Sequence, residues 1–179
     1  MNELDAEAKT AGIIVMNEIG LAPGIDHLYA IKTISEVHEK GWKGGYHLLL
    51  SFFCHSLTMD LRQIKQFLSY CGGLPAPECS GNPLGYKFSW SSRRVLLALL
   101  NSVSYLSSGK QLHVSEQELM GHAQPYFVSP AFAFVAYPNR DSIPFKEFYN
   151  IPEAETVVRG TLRYQGFPEF IKTLKQLGW

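Results

Sequence analysis

Apolar positions along the chain change period several times, and each change marks an element. Leu4 to Ala11 has the pattern of an amphipathic helix end, stopped by Gly12. The run GIIVMNE that follows is short, apolar and β-branched, and predicts a buried strand. From Ile25, the residues Leu28, Ile31, Ile34 and Val37 recur every three positions and predict a helix to about Lys40. Ile64 to Tyr70 alternates loosely and predicts a strand. RRVLLALLNSVSYL, from Arg93, predicts one long buried helix, capped by Ser89, Ser91 or Ser92, with Gly109 closing the helical region. Beyond it the pattern predicts a strand over Gln111 to Val114 and a short helix over Glu116 to His122. Ala131 to Tyr137 reads as a buried strand that delivers Arg140 and Asp141 into a loop, and Lys146 to Tyr149 as a helical turn. Ala154 to Tyr164 predicts a long strand interrupted by Gly160, and Pro168 opens a last helix with Gly178 near its end. The fold class expected is α+β, a mixed sheet with helices packed on it.

Two stretches fit no ordinary element. Ser69 to Ser92 carries Pro75, Pro77 and Pro83, which remove backbone donors, and the Gly72-Gly73 pair. Its Leu74, Leu84, Tyr86, Phe88 and Trp90 hold too much apolar surface to stay solvated, so it predicts a packed, ordered loop lining a site. The other stretch, Gly41 to Gln63, contains the apolar run LLLSFFC without a period. Cys54 with His47 and His55 is a weak metal set, having no fourth ligand.

Composition narrows the function classes. Sixteen basic residues balance sixteen acidic ones, which excludes the basic excess that nucleic acid or a membrane surface would select. Three cysteines without a CxxC spacing fit neither a disulfide scaffold nor a zinc site, so a reducing, cytoplasmic setting is expected. No run of eighteen apolar residues occurs, and none is expected to span a membrane. The sequence contains no GxGxxG, the turn that cradles a dinucleotide pyrophosphate.

The strings SYCGGLPAPE and NPLGYKFSWSSR resemble the NADP-dependent, glutamate-forming saccharopine dehydrogenase (saccharopine reductase) family of fungal type. GLAPGIDHLYAIKTI, AYPNRDS and VVRGTLRYQGFPEF resemble the same family, in the same order. The resemblance implies a partial chain. Residues 1–19 would be the last helix and strand of a Rossmann nucleotide-binding domain. Residues 20–179 would be an incomplete substrate-binding and dimerisation domain with an atypical insert at about 44–62. That insert reads either as an extra surface helix or, preferentially, as read-through of a short intron, which transcript sequencing decides. The implied activity joins aminoadipate semialdehyde to glutamate and reduces the imine with NADPH, in lysine biosynthesis. NADP would bind the complete enzyme and not this chain alone. Saccharopine, glutamate and aminoadipate semialdehyde are the implied small-molecule partners, and a homodimer is compatible. The alternative is a non-catalytic remnant or interaction module.

The resemblance also implies site residues. Arg140, Thr161, Leu162 and Arg163 would touch saccharopine, the two arginines through its carboxylates. Tyr70 and Cys71 would line the pocket; no basic neighbour in the sequence activates Cys71 as a nucleophile. Cys79 reads as loop packing. Asp26 would complement the dipole at a helix start, or contact the ligand directly. The family has an acid where this chain has Ala22, and glycine where it has Arg94, a bulky charge expected to disturb close packing. His27 and His38 read as packed or surface residues rather than ligands.

Overall fold

Hydrogen bonding across a mixed sheet organises the chain. The computed structural model describes residues 4–16, 19–40, 44–50, 53–60 and 63–178, with the backbone alone for 44–50 and 53–60. Helix α1 covers Asp5–Thr10 and α2 covers Ile25–Lys40. Strands β1 (Gly44–Leu50), β2 (Phe53–Asp60) and β3 (Gln63–Cys71) follow. After the irregular loop come α3 (Ser92–Ala98), β4 (Val103–Ser107), β5 (Lys110–Val114) and β6 (Gln124–Tyr126). The chain continues through β7 (Phe134–Pro138), α4 (Phe145–Phe148), β8 (Thr156–Tyr164) and α5 (Phe167–Gln176).

Strand β8 is the centre of the sheet. It pairs in parallel with β3 along one edge and antiparallel with β4 and β7 along the other. Strands β1 and β2 extend the sheet beyond β3, β5 extends it beyond β4, and β6 pairs with β7. Side chains on β8 alternate between two faces. Ala30, Ile34 and Val37 of α2 pack on one face against Phe67, Tyr149, Ile151 and Val157. A second cluster on that side gathers Tyr86, Val95, Leu99, Tyr137, Phe167 and Ile171. The opposite face buries Phe134, Ala136 and Leu162, with Tyr70, Leu74 and Tyr164 against them.

The mixed α+β class, α2 and β3 agree with the sequence pattern; five local expectations do not. Ile13 to Met16 forms no strand, and Ile14 is 90% exposed. A strand is stable only through a neighbour, and none pairs with these residues, so the Rossmann remnant is not seen; the rest of GIIVMNE lies outside the described residues. The helix from Arg93 ends at Ala98, and VSYL belongs to strand β4. Ser108 and Gly109, with φ of 49° and 75°, form the turn of the β4–β5 hairpin instead of closing a helix. Gly160 does not interrupt β8. The segment after α2 is no helix, since its backbone forms the β1–β2 hairpin in register with β3; the side chains of His47, Cys54 and His55 lie outside the described residues.

Arg94 disturbs nothing. It is exposed, and its backbone N–H donates to the Ser91 hydroxyl at 3.3 Å, which identifies Ser91 as the cap of α3. No described helix is long and apolar enough to cross a membrane.

Candidate functional site

The end of β3 lies beside the middle of β8, with Tyr70 opposite Gly160 and Cys71 opposite Thr161. Paired residues share a face, so Cys71, Thr161 and Arg163 point to the α2 side. Tyr70 and Leu162 point the other way. Tyr70 packs at a tilt against Tyr126, their ring centroids 4.7 Å apart, and Leu162 sits in the apolar cluster of that face. The residues implied by the resemblance are thus divided between two faces. Leu162 reaches the α2 side only through its carbonyl, which accepts from Arg163 Nη1 at 2.9 Å.

Arg163 is 9% exposed. Its guanidinium carbon lies 4.7 Å from the Tyr86 ring centroid and 5.3 Å from that of Phe167. Its Nε is buried with no hydrogen-bond partner among the described residues. Neither Asp141 nor Glu155 pairs with it among the described ion pairs. The aromatic contacts offset part of the charge burial, yet the cation has no buried anion among the described residues. The arrangement can accept a planar anion.

The irregular loop delivers Tyr86. Asn82 Oδ1 accepts from Leu84 N at 3.1 Å and Tyr86 N at 3.4 Å, a side-chain turn that folds the loop on itself. Tyr164 donates its hydroxyl to the Pro75 carbonyl at 3.1 Å. A Cβ on Gly72 would lie 2.3 Å from the Leu162 carbonyl oxygen, so the loop must leave β3 through a residue without a side chain. Trp90 departs from the expected packing at 56% exposed, and Phe88 and Cys79 are exposed as well.

Asp26 is 2% exposed and fully engaged. Its Oδ1 accepts from Gly24 N at 2.8 Å and His27 N at 2.9 Å, and its Oδ2 accepts from Arg159 Nη2 at 2.8 Å. Three of its roughly four acceptor sites are filled and the group is buried, so its geometry favours a structural role over direct contact. Arg159 also covers the Phe145 ring at 4.1 Å. His27 stacks on that ring at 5.7 Å and its Nδ1 meets the Tyr149 hydroxyl at 2.7 Å. His38 pairs with Glu153 at 2.9 Å.

Three ionised groups surround Cys71. Burial, reinforced by Asp26, pushes its thiol up to about 11 against the opposing pull of Arg163 and Arg159. The thiol is therefore protonated near neutrality and is no nucleophile there. Tyr137, 3% exposed, keeps its proton too, because burial raises its phenol above the ordinary value. Arg140 stands apart: it is exposed, with φ of 56°, in the loop just beyond β7.

Sequence reasoning missed Arg159, Tyr137 and Phe167. Arg159 was within reach of it, since alternation along β8 puts residues 159, 161 and 163 on one face. The contacts of Tyr86, Tyr137 and Phe167 with this strip carry no local signal.

Residues 20–179 match the Saccharopine dehydrogenase C-terminal domain. The chain is 63% identical over 179 residues to saccharopine dehydrogenase [NADP(+), L-glutamate-forming] of Pyricularia oryzae, covering 100% of this chain and 35% of that one. It is 42% identical over 179 residues to alpha-aminoadipic semialdehyde synthase of Arabidopsis thaliana, covering 98% of this chain and 15% of the other. A solved structure of apo saccharopine dehydrogenase (L-Glu forming) from Saccharomyces cerevisiae superposes with a TM-score of 0.80 at 61% identity, over 99% of this chain and 35% of that one. The chain thus spans about a third of its fungal relatives' length.

Proposed function

Because this chain belongs to the saccharopine dehydrogenase family, we propose that it supplies the substrate-binding part of a saccharopine reductase. The complete enzyme would condense aminoadipate semialdehyde with glutamate and reduce the imine with NADPH, forming saccharopine. The observation that carries this reading is Arg163, a cation buried against two rings with no carboxylate partner among the described residues. A tricarboxylate such as saccharopine supplies the missing anion, and a guanidinium fork pairs both oxygens of one carboxylate.

In this reading Arg163 holds one carboxylate, Thr161 offers a hydroxyl beside it, and Arg140 approaches from the loop after β7. Cys71 lines the strip as a neutral thiol, so no covalent step runs through it. Tyr70 and Leu162 act from the far face by fixing β3 and β8 in place. NADPH supplies the hydride when bound, and the sequence offers no glycine-rich turn to which its pyrophosphate could be assigned.

The test uses a chimaera in which this chain replaces the matching segment of the Saccharomyces cerevisiae relative. Arg163→Lys keeps the charge and loses the planar fork. The saccharopine KM should rise by about tenfold or more, the worth of a charge-assisted hydrogen bond, with the NADPH KM unmoved. Equal effects on the two constants would refute the assignment.

A further inference from the structure

We propose that Arg159 is a positioning residue for three segments of the substrate strip: its side chain ties the Gly20–Gly24 turn to β8 through Asp26, and its backbone holds the loop carrying Arg140. The proposal rests on reading that strip as the substrate contact. The first segment is the Gly20–Gly24 turn. Asp26 stitches it to β8 across 133 residues of sequence, one oxygen on the turn's backbone and the other on Arg159. The second is the loop carrying Arg140. The Arg159 backbone N–H donates to the Ser142 hydroxyl at 2.9 Å, and its carbonyl accepts from Asn139 N at 2.9 Å, so the residues flanking Arg140 hang on this one position. The third is β8 itself, where Thr161 and Arg163 share the face of Arg159.

Arg159 is suited to orientation rather than to reading the ligand. Its charge is already matched by a buried carboxylate, and one face of its guanidinium is covered by Phe145. Arg163 has no such anion among the described residues. Arg159 and Arg163 stand four residues apart, about 13 Å along an extended strand. One arginine is therefore spent on holding the frame, and the other is left for the anion.

The experiment separates positioning from mere stability. Arg159→Met leaves the Asp26 carboxylate buried without its partner, and the melting temperature should fall. The double variant Asp26→Asn/Arg159→Met removes both charges. Its asparagine keeps an oxygen for Gly24 N and His27 N, and its methionine keeps a contact with Phe145, so the melting temperature should recover. The locked geometry should not recover. In the chimaera, the double variant's saccharopine KM should stay raised by about tenfold, with the NADPH KM unchanged.

A second readout needs no activity. In this chain carrying Cys54→Ser and Cys79→Ser, the pH-independent rate constant of Cys71 alkylation, taken from the full pH profile so that the lost charges on the thiol are factored out, reports access to the strip. It should be at least about threefold faster in the double variant, because the turn is no longer tied to β8. Recovery of KM and alkylation rate together with the melting temperature would overturn the proposal, as would an alkylation rate unchanged in every variant. An unaltered chimaera that turns over no saccharopine defeats the functional reading, and the alkylation result alone then decides this one.

Discussion

Tyr70 of β3 and Gly160 of β8 face each other in the parallel pair, and the Tyr70 ring occupies the space that a side chain at position 160 would fill. A Cβ there would lie 2.4 Å from a Tyr70 ring carbon and 2.5 Å from the Tyr137 carbonyl oxygen. The glycine thus lets three neighbouring strands close on one another.

Gly160→Ala should destabilise the chain, because the backbone oxygen cannot swing away as a flexible side chain could. Overpacking of this kind costs about 1–3 kcal/mol. For a chain of this size that is a loss of several degrees, at about 2–4 °C per kcal/mol. Thermal unfolding measures it. In a cycle with Tyr70→Ala, which is itself destabilising, the two losses should be less than additive, because one of the two obstructing groups is then gone.

Glu153 makes stability depend on acidity. Burial pushes its carboxyl up, but hydrogen bonds from Ile64 N and His38 outweigh burial and hold it below the ordinary value of 4.5. A depressed folded value means that the unfolded chain binds the proton more readily. The contribution is therefore present above pH 4.5 and lost as pH falls through the lower folded value. Melting curves from pH 3 to pH 6 should show a shallower acid decline for Glu153→Gln than for the unaltered chain, about on the scale of one titrating group. Parallel curves would show that the bonds to Glu153 do not depend on its charge.

How legible all this was depends on how local each cause is. The boundaries of α2 were readable because Ile34 and Val37 repeat on the face that meets the sheet. Strand β4 was misread because VLLALLNSVSYL is apolar nearly throughout, and a helix and a strand cannot be told apart by period in such a run. The missed signal was Ser108-Gly109 between two strand-like runs, a hairpin turn. Ile13 to Val15 looked like a strand because β-branching favours one, but a strand also needs a neighbour, which no propensity supplies. Asp26 could be placed at a helix start from sequence; its partner Arg159, on β8, could not, since only the fold brings the two together.

Ala22 offers a test of the non-catalytic alternative. It is exposed, in the turn that Asp26 ties to β8. The family resemblance places an acid at this position, where it would meet the secondary amine of saccharopine. A charge-assisted hydrogen bond contributes about 1.5–3 kcal/mol, so Ala22→Asp in the chimaera should raise kcat/KM at least about tenfold. Steady-state kinetics decides it. Indistinguishable constants for the two forms would mean that position 22 does not touch the substrate.

Arg163 should trade stability for binding. Without ligand it keeps a buried cation whose Nε has no partner among the described residues. Leaving a buried donor unmet costs about 1–3 kcal/mol, and contacts with Tyr86 and Phe167 return about 0.5–2 kcal/mol each when desolvated. The two nearly cancel, and the desolvation of the charge itself remains on the unfavourable side. Methionine fills similar volume, packs against both rings and has no donor to satisfy. Arg163→Met should therefore raise the ligand-free melting temperature of the chimaera. Saccharopine should reverse the order, because a ligand stabilises whichever form binds it by RT ln(1 + [L]/Kd). At a concentration about a hundredfold above Kd the unaltered protein gains about 2.7 kcal/mol, and the methionine variant gains little. Two melting curves for each protein, with and without saccharopine, make the comparison. A crossing of the ranks supports Arg163 as the anion contact, whereas a variant that is less stable in both conditions would identify the arginine as a structural element of the core.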